Sequence, residues 1–172
     1  MRKFVLISSI MLIAACTTTQ TVEPVVSDVA SAALMRADGS AVGFATLSQR
    51  NDGLWLSVTA DAPGAGSFGM HVHSVGRCDR PDFTSAGPHW NPAMKQHGRE
   101  NPMGAHAGDL PNATATLQGK LIIETQLVGA TIPQVMDTDG ASVVIHEKAD
   151  DYRTDPSGNS GMRLICGILK RN

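Results

Sequence analysis

Aromatic side chains are scarce in this chain, at 4% of 172 residues with a single Tyr, and no run of apolar residues beyond the first fifteen positions approaches the length of a membrane span. Basic residues are not in excess either: 14 Lys and Arg stand against 16 Asp and Glu, a formal net charge of -2. That balance leaves no broad cationic surface for a nucleic acid, so any attraction of an anionic ligand must be local. No repeat recurs at the periods of solenoid proteins, and no stretch has a convincing amphipathic helical pattern. Histidine is absent from the first 70 positions. What is abundant is Gly (17), Pro (9), Thr, Val and Ser, the composition of many turns between short strands. The length suits one well-cored domain and is short for two.

Residues 1–15 read as a targeting segment: Arg2 and Lys3 make a charged start, 4–13 is an apolar run too short to span a bilayer, and Ala14-Ala15 supply small residues before Cys16. Ile13-Ala14-Ala15-Cys16 resembles the lipobox of bacterial lipoproteins, in which cleavage precedes a Cys that receives lipid. An ordinary secretory signal with an incidental Cys is the alternative. Both readings place the domain outside the cytoplasm, in the periplasm or cell envelope. Thr17 after the Cys resembles the outer-membrane sorting class, which makes the lipid on Cys16 the expected membrane contact. With Cys16 so used, Cys78 and Cys166 remain as an even pair in an oxidising compartment and are expected to be bridged. In the chain-entropy treatment a bridge closing so long a loop stabilises by roughly 4 to 5 kcal/mol.

The stretch 16–31 is Thr-, Val- and Ser-rich without sustained periodicity and reads as a tether, with an extra edge strand as the alternative. The domain is expected over 32–172. Strands are expected at 32–37, 42–49, 54–59, 67–73, 112–117, 120–126, 141–146 and 163–169, the third because Leu54, Leu56 and Val58 alternate with Trp55, Ser57 and Thr59. Two long coils interrupt them, 74–110 and 147–161, the first punctuated by Pro81, Pro88, Pro92 and Pro102. Eight short strands argue for an all-β sandwich or barrel. A coil as long as the first must be held by something, because ordering each residue costs on the order of 1 to 2 kcal/mol.

Metal ligands are the natural holders. His71 and His73 lie two apart on an expected strand and so project from one face. With His146 at the end of another strand they form an all-imidazole set suited to a redox-capable copper ion. His97, His106 and Asp109, all on coil, form a set one ligand short of the tetrahedron zinc favours. His89 completes both if its imidazole binds through both nitrogens.

The segments Gly69-Met70-His71-Val72-His73, Gly87-Pro88-His89-Trp90-Asn91-Pro92, His106-Ala107-Gly108-Asp109-Leu110, His146-Glu147-Lys148-Ala149-Asp150-Asp151 and Gly161-Met162-Arg163-Leu164-Ile165-Cys166-Gly167 resemble, in order and spacing, the signature segments of copper/zinc superoxide dismutases. The likeness runs over about 32–170. It implies an eight-stranded Greek-key β-barrel with two long functional loops, and the disproportionation of superoxide anion at the cell envelope. It implies copper on His71, His73, His89 and His146, and zinc on His89, His97, His106 and Asp109. It further implies that Asp150 links a copper histidine to a zinc histidine, that Cys78 and Cys166 pair, and that Arg163 receives the anion while His89 handles a proton. A monomer and a homodimer are both compatible with it.

The departures are modest. Met70 and Trp90 replace residues usual in relatives, which touches packing. The second coil, with Arg153, Asp155 and Pro156, lacks the lysine-rich guidance pattern of eukaryotic relatives, so Lys95, Arg99, Lys148 and Arg153 are the remaining candidates for widening the field around Arg163.

Overall fold

A computed structural model describes residues 27–172. The expected signal segment 1–15, the lipidation site Cys16 and most of the expected tether lie outside the described residues. Where description begins, the chain is already strand: β1 (Ser27–Arg36) starts five positions inside the stretch expected to be tether. Ala30, Ala32 and Leu34 point inward and are buried, and they are small enough to leave a weak hydrophobic pattern. β2 (Ala41–Arg50) and β3 (Gly53–Asp61) follow as a meander, and β3 buries Leu54, Leu56, Val58 and Ala60 at period 2.

The fourth expected strand divides at Gly69 into β4 (Ser67–Phe68) and β5 (Met70–His73). A Cβ at Gly69 would stand 2.9 Å from the Ser160 side chain and 3.3 Å from the Asp150 backbone nitrogen, so the chain changes neighbours there because the second coil crosses close over it. β6 (Ala113–Thr114) is shorter than expected, and β7 (Lys120–Gln126), β8 (Ser142–His146) and β9 (Arg163–Ile168) lie close to their expected bounds. β10 (Lys170–Arg171) pairs with β1. The connection after β7 holds one helical turn, α1 (Ile132–Val135), opened by a reciprocal cap between Thr131 and Gln134.

The strands run antiparallel in the order β5-β8-β9-β1-β2-β3-β7, with β4-β6 as a separate pair. Since β4 continues into β5 and β6 turns directly into β7, that pair bridges the two ends of the main sheet and the whole curls into a β-barrel. One core of Leu, Val, Ile and Ala fills it, with Met70 and Trp90 inside that core. Both long coils pack on the outside, over β5 and β8.

Candidate metal centre

β5 and β8 are paired with His71 opposite Val144 and His73 opposite Ser142, so the register sets His71 and His73 beside His146 at the end of β8. The first coil then returns along β5. Trp90 donates its backbone N–H to Val72 O, Gly108 donates to Trp90 O, and single bridges join His73 to His89 and His71 to Asp109. A side chain at Gly108 would collide with Val72 O at 2.3 Å, which explains the glycine in this close crossing. In this way the coil is laid across the strand that carries the first two histidines.

All six histidines and Asp109 are buried and converge. One cluster, His71, His73, His89 and His146, has its ligand atoms mutually within 4.8 Å, and so does a second, His71, His89, His97 and Asp109. The expectation put His106 in the second set. It is there by contact: His106 Nδ1 lies 3.2 Å from Asp109 Oδ1 and 3.4 Å from His89 Nδ1. His89 Nδ1 and His97 Nδ1 lie 3.0 and 3.1 Å from the same Asp109 oxygen. Those separations match the edge of about 3.3 Å of a tetrahedron whose centre is 2.0–2.1 Å from each donor, the dimension of a zinc site.

The nitrogens on the other side carry a second sign of fit. His73 Nδ1 and His146 Nδ1 lie 2.8 and 3.2 Å from the carbonyls of Gly87 and Gly161 and donate to them, and His71 Nε2 lies 2.7 Å from Asp150 Oδ2. Each partner fixes one tautomer, which leaves the opposite ring nitrogen as a lone pair. Those opposite nitrogens, His71 Nδ1, His73 Nε2 and His146 Nε2, are buried with no hydrogen-bond partner. Buried polar atoms are almost always paired, so orphans gathered in one place are donors shaped for a cation.

Burial, aided by neighbouring imidazoles, depresses His73 to about 2, His89 to about 4 and His146 to about 3, so these rings are neutral at physiological pH. For His97 burial acts the same way but is outweighed by the Asp109 and Asp150 carboxylates, which raise it to about 9. Asp150 joins the two sets, with Oδ2 on His71 and Oδ1 3.0 Å from His97 Nε2. For both Asp109 and Asp150 burial opposes ionisation, yet hydrogen bonds from the histidines hold the carboxyls below their ordinary range.

Above the first cluster opens a cleft of about 860 Å³ lined by His89, His146, Arg163, Lys95 and Asp155. Arg163 donates Nη1 to Phe83 O and Nη2 to Gly87 O, at 2.8 and 2.9 Å. Cys78 and Cys166 are joined in a disulfide that ties the start of the coil to β9. Of the other cations considered, Arg153 is paired with Glu100, Arg99 turns to Asp109 O, and Lys95 lines the cleft wall.

A sequence model of the copper/zinc superoxide dismutases matches residues 41–169. The chain belongs to the copper/zinc superoxide dismutase family. The superoxide dismutase-like protein YojM of Bacillus subtilis is 46% identical over 147 residues, which span 81% of this chain and 74% of that protein. A copper/zinc superoxide dismutase of Aquifex aeolicus is 38% identical over 77% of this chain and 82% of its own. Among solved structures, the SOD-like protein from Bacillus subtilis overlays with a TM-score of 0.78 at 42% identity, covering 81% of this chain and 97% of that one. The family reaction, disproportionation of superoxide with copper and zinc as cofactors, is therefore the activity of this chain.

The sequence did not single out Asn112, Tyr152, Gly158 or the Gly87 and Gly161 carbonyls, all of which touch the site. Backbone acceptors leave no trace in residue type. Tyr152, the chain's sole Tyr, within a polar coil, was the one available signal.

Proposed function

We propose that this protein disproportionates superoxide through copper held by His71, His73, His89 and His146, beside zinc held by His89, His97, His106 and Asp109, with His89 shared between the two. The observation that carries the assignment is the set of orphaned buried nitrogens on His71, His73 and His146. When bound, copper would supply one-electron redox chemistry to the superoxide anions and zinc a fixed positive charge.

The residues do the rest. Arg163 spends only part of its donor fork on Phe83 O and Gly87 O, and its remaining N–H groups face an incoming anion with a charge that persists at any working pH. His89, anchored at Nδ1 on the Asp109 side, takes up and releases a proton at Nε2. Two superoxide anions and two protons give one dioxygen and one hydrogen peroxide, one of those protons passing through His89 Nε2. Asp150 keeps His71 and His97 in the tautomers their ligand roles need. The disulfide and the signal segment support an exported enzyme protecting the cell envelope, with Cys16 as the lipid anchor and a homodimer as one possible assembly.

A second reading, a domain of this family that holds copper without turnover, draws on the name of the Bacillus subtilis relative, superoxide dismutase-like. Metal analysis and superoxide consumption on the mature, copper- and zinc-reconstituted protein separate the two. Stoichiometric copper with no consumption favours the holder, and consumption that disappears on chelating copper favours the enzyme.

A further inference from the structure

The carboxylate that joins the two clusters is itself held by a network that the reaction does not obviously need. Asp150 donates its backbone N–H to Asn112 Oδ1 at 2.8 Å, and Asn112 Nδ2 donates back to Asp150 O at 2.9 Å, so one amide clamps the Asp150 residue from both ends. The Asn112 backbone N–H in turn donates to the phenol oxygen of Tyr152 at 2.7 Å, and the Tyr152 backbone N–H donates to Asp150 Oδ1 at 2.6 Å. The ring of contacts closes on itself. Asn112 stands three residues after Asp109 on the first coil, and Tyr152 two residues after Asp150 on the second, so the network also pins the coils together.

The conformation of Tyr152 indicates that this arrangement is imposed. Its φ is 62°, in the left-handed region that a residue with a side chain rarely adopts. Its carbonyl accepts from Glu100 N–H at 2.9 Å and presses against Gly98, where a Cβ would come within 2.2 Å of it. Gly158 closes the far side: a Cβ there would lie 1.9 Å from Asp150 Oδ1 and 2.7 Å from His97 Nε2. The Asp150 carboxylate therefore has hydrogen bonds on one flank and an unyielding backbone on the other.

We propose that Tyr152 is a positioning residue for both clusters, its hydroxyl fixing the Asn112 peptide and thereby the aim of the Asp150 carboxylate at His71 Nε2 and His97 Nε2. The inference rests on the zinc assignment made above. Removing the hydroxyl leaves the Asn112 N–H without its partner and lets the Asp150 turn relax, so His97 loses its fixed orientation before the fold is lost. Partners one step out from metal ligands change metal affinity by about 10- to 100-fold, and the Tyr152 hydroxyl acts one step further still.

The test uses Tyr152→Phe in the full, disulfide-intact protein, with zinc release to a chelator and the visible spectrum of cobalt(II) in the zinc position as readouts, alongside the thermal midpoint. The expected result is zinc release faster by about threefold to tenfold and a changed cobalt spectrum, with little further change when Tyr152→Phe is added to Asp150→Asn. A lowered midpoint with the parent's cobalt spectrum and release rate assigns the hydroxyl to general stability and overturns the proposal. Full additivity with Asp150→Asn overturns it too, because the effect would then not pass through that carboxylate. A parent protein that binds neither zinc nor cobalt overturns the site assignment itself, which separates that failure from the others.

Discussion

The two proposed ligand sets share His89 and differ in what carries the rest of their members. His71, His73 and His146 sit on β5 and β8, where cross-strand register sets their spacing. His97, His106 and Asp109 sit on coil, held by hydrogen bonds among themselves and to Asp150 and Asp155. A ladder of backbone hydrogen bonds persists whatever the ligands do, whereas the coil is tied down at separate points, the Cys78–Cys166 bridge and the crossing of β5 at Trp90 and Gly108 among them, and between those points its ligand side chains carry much of the order. On the proposed assignment the strand-borne set is a rigid receptor for the reacting ion, and the coil-borne set is a fastening whose ion is part of the fold.

The sharpest way to break this contrast is His146→Ala. Superoxide consumption should fall to background, a loss of more than about three decades, while zinc stays bound; persistent activity would remove copper from the strand-borne cluster. His97→Ala is its counterpart: zinc affinity should drop by at least about a hundredfold and the first coil should become open to limited proteolysis, with β5 and β8 still protected in hydrogen exchange. An equally protected coil would mean that it stands without its ion. Arg163→Glu leaves both clusters whole and tests the mouth above one of them. Its rate should fall by about tenfold at low salt and rise, where the parent's falls, as ionic strength increases. Matching salt profiles would exclude attraction through that residue.

The smallest effect is the response of the metal-free protein to pH, in which the two regions oppose each other. His73, His89 and His146 lie below the ordinary imidazole value of 6.5. Between about pH 6.5 and 4 the unfolded chain therefore binds protons that the folded chain refuses, and stability falls as pH falls. His97 is raised to about 9, so the folded chain keeps a proton that the unfolded one has lost, and stability declines as pH climbs from 6.5 through 9. Denaturant midpoints should peak near pH 6.5 and His97→Gln should flatten the alkaline side alone. An unchanged alkaline limb in that variant would place the raised group elsewhere.

Much of this was legible before the fold was known. Histidine positions are discrete, and the two-residue spacing of His71 and His73 says which face they share. Leu54, Leu56 and Val58 announce β3 by alternation. The start of β1 was hidden because Ala30 and Ala32 bury little area and alternate with an outward row that includes Ser27 and Ser31, so the apolar signal of the inward row is weak. The break at Gly69 was hidden because it is imposed by Asp150 and Ser160, some eighty and ninety residues away. The frame around Asp150 was illegible for a different reason: each of its hydrogen bonds has a peptide group at one end, and every residue has those.

Cys166 follows Arg163 by three positions on β9, and Cys78 precedes the Phe83 and Gly87 carbonyls that Arg163 grips by five and nine. That sulfur link therefore ties to β9 the strip of chain that carries the anion receptor's supports and the oxygen that orients His73. For an exported chain, as proposed, the bridge that closes this strip forms only once the polypeptide has reached an oxidising space.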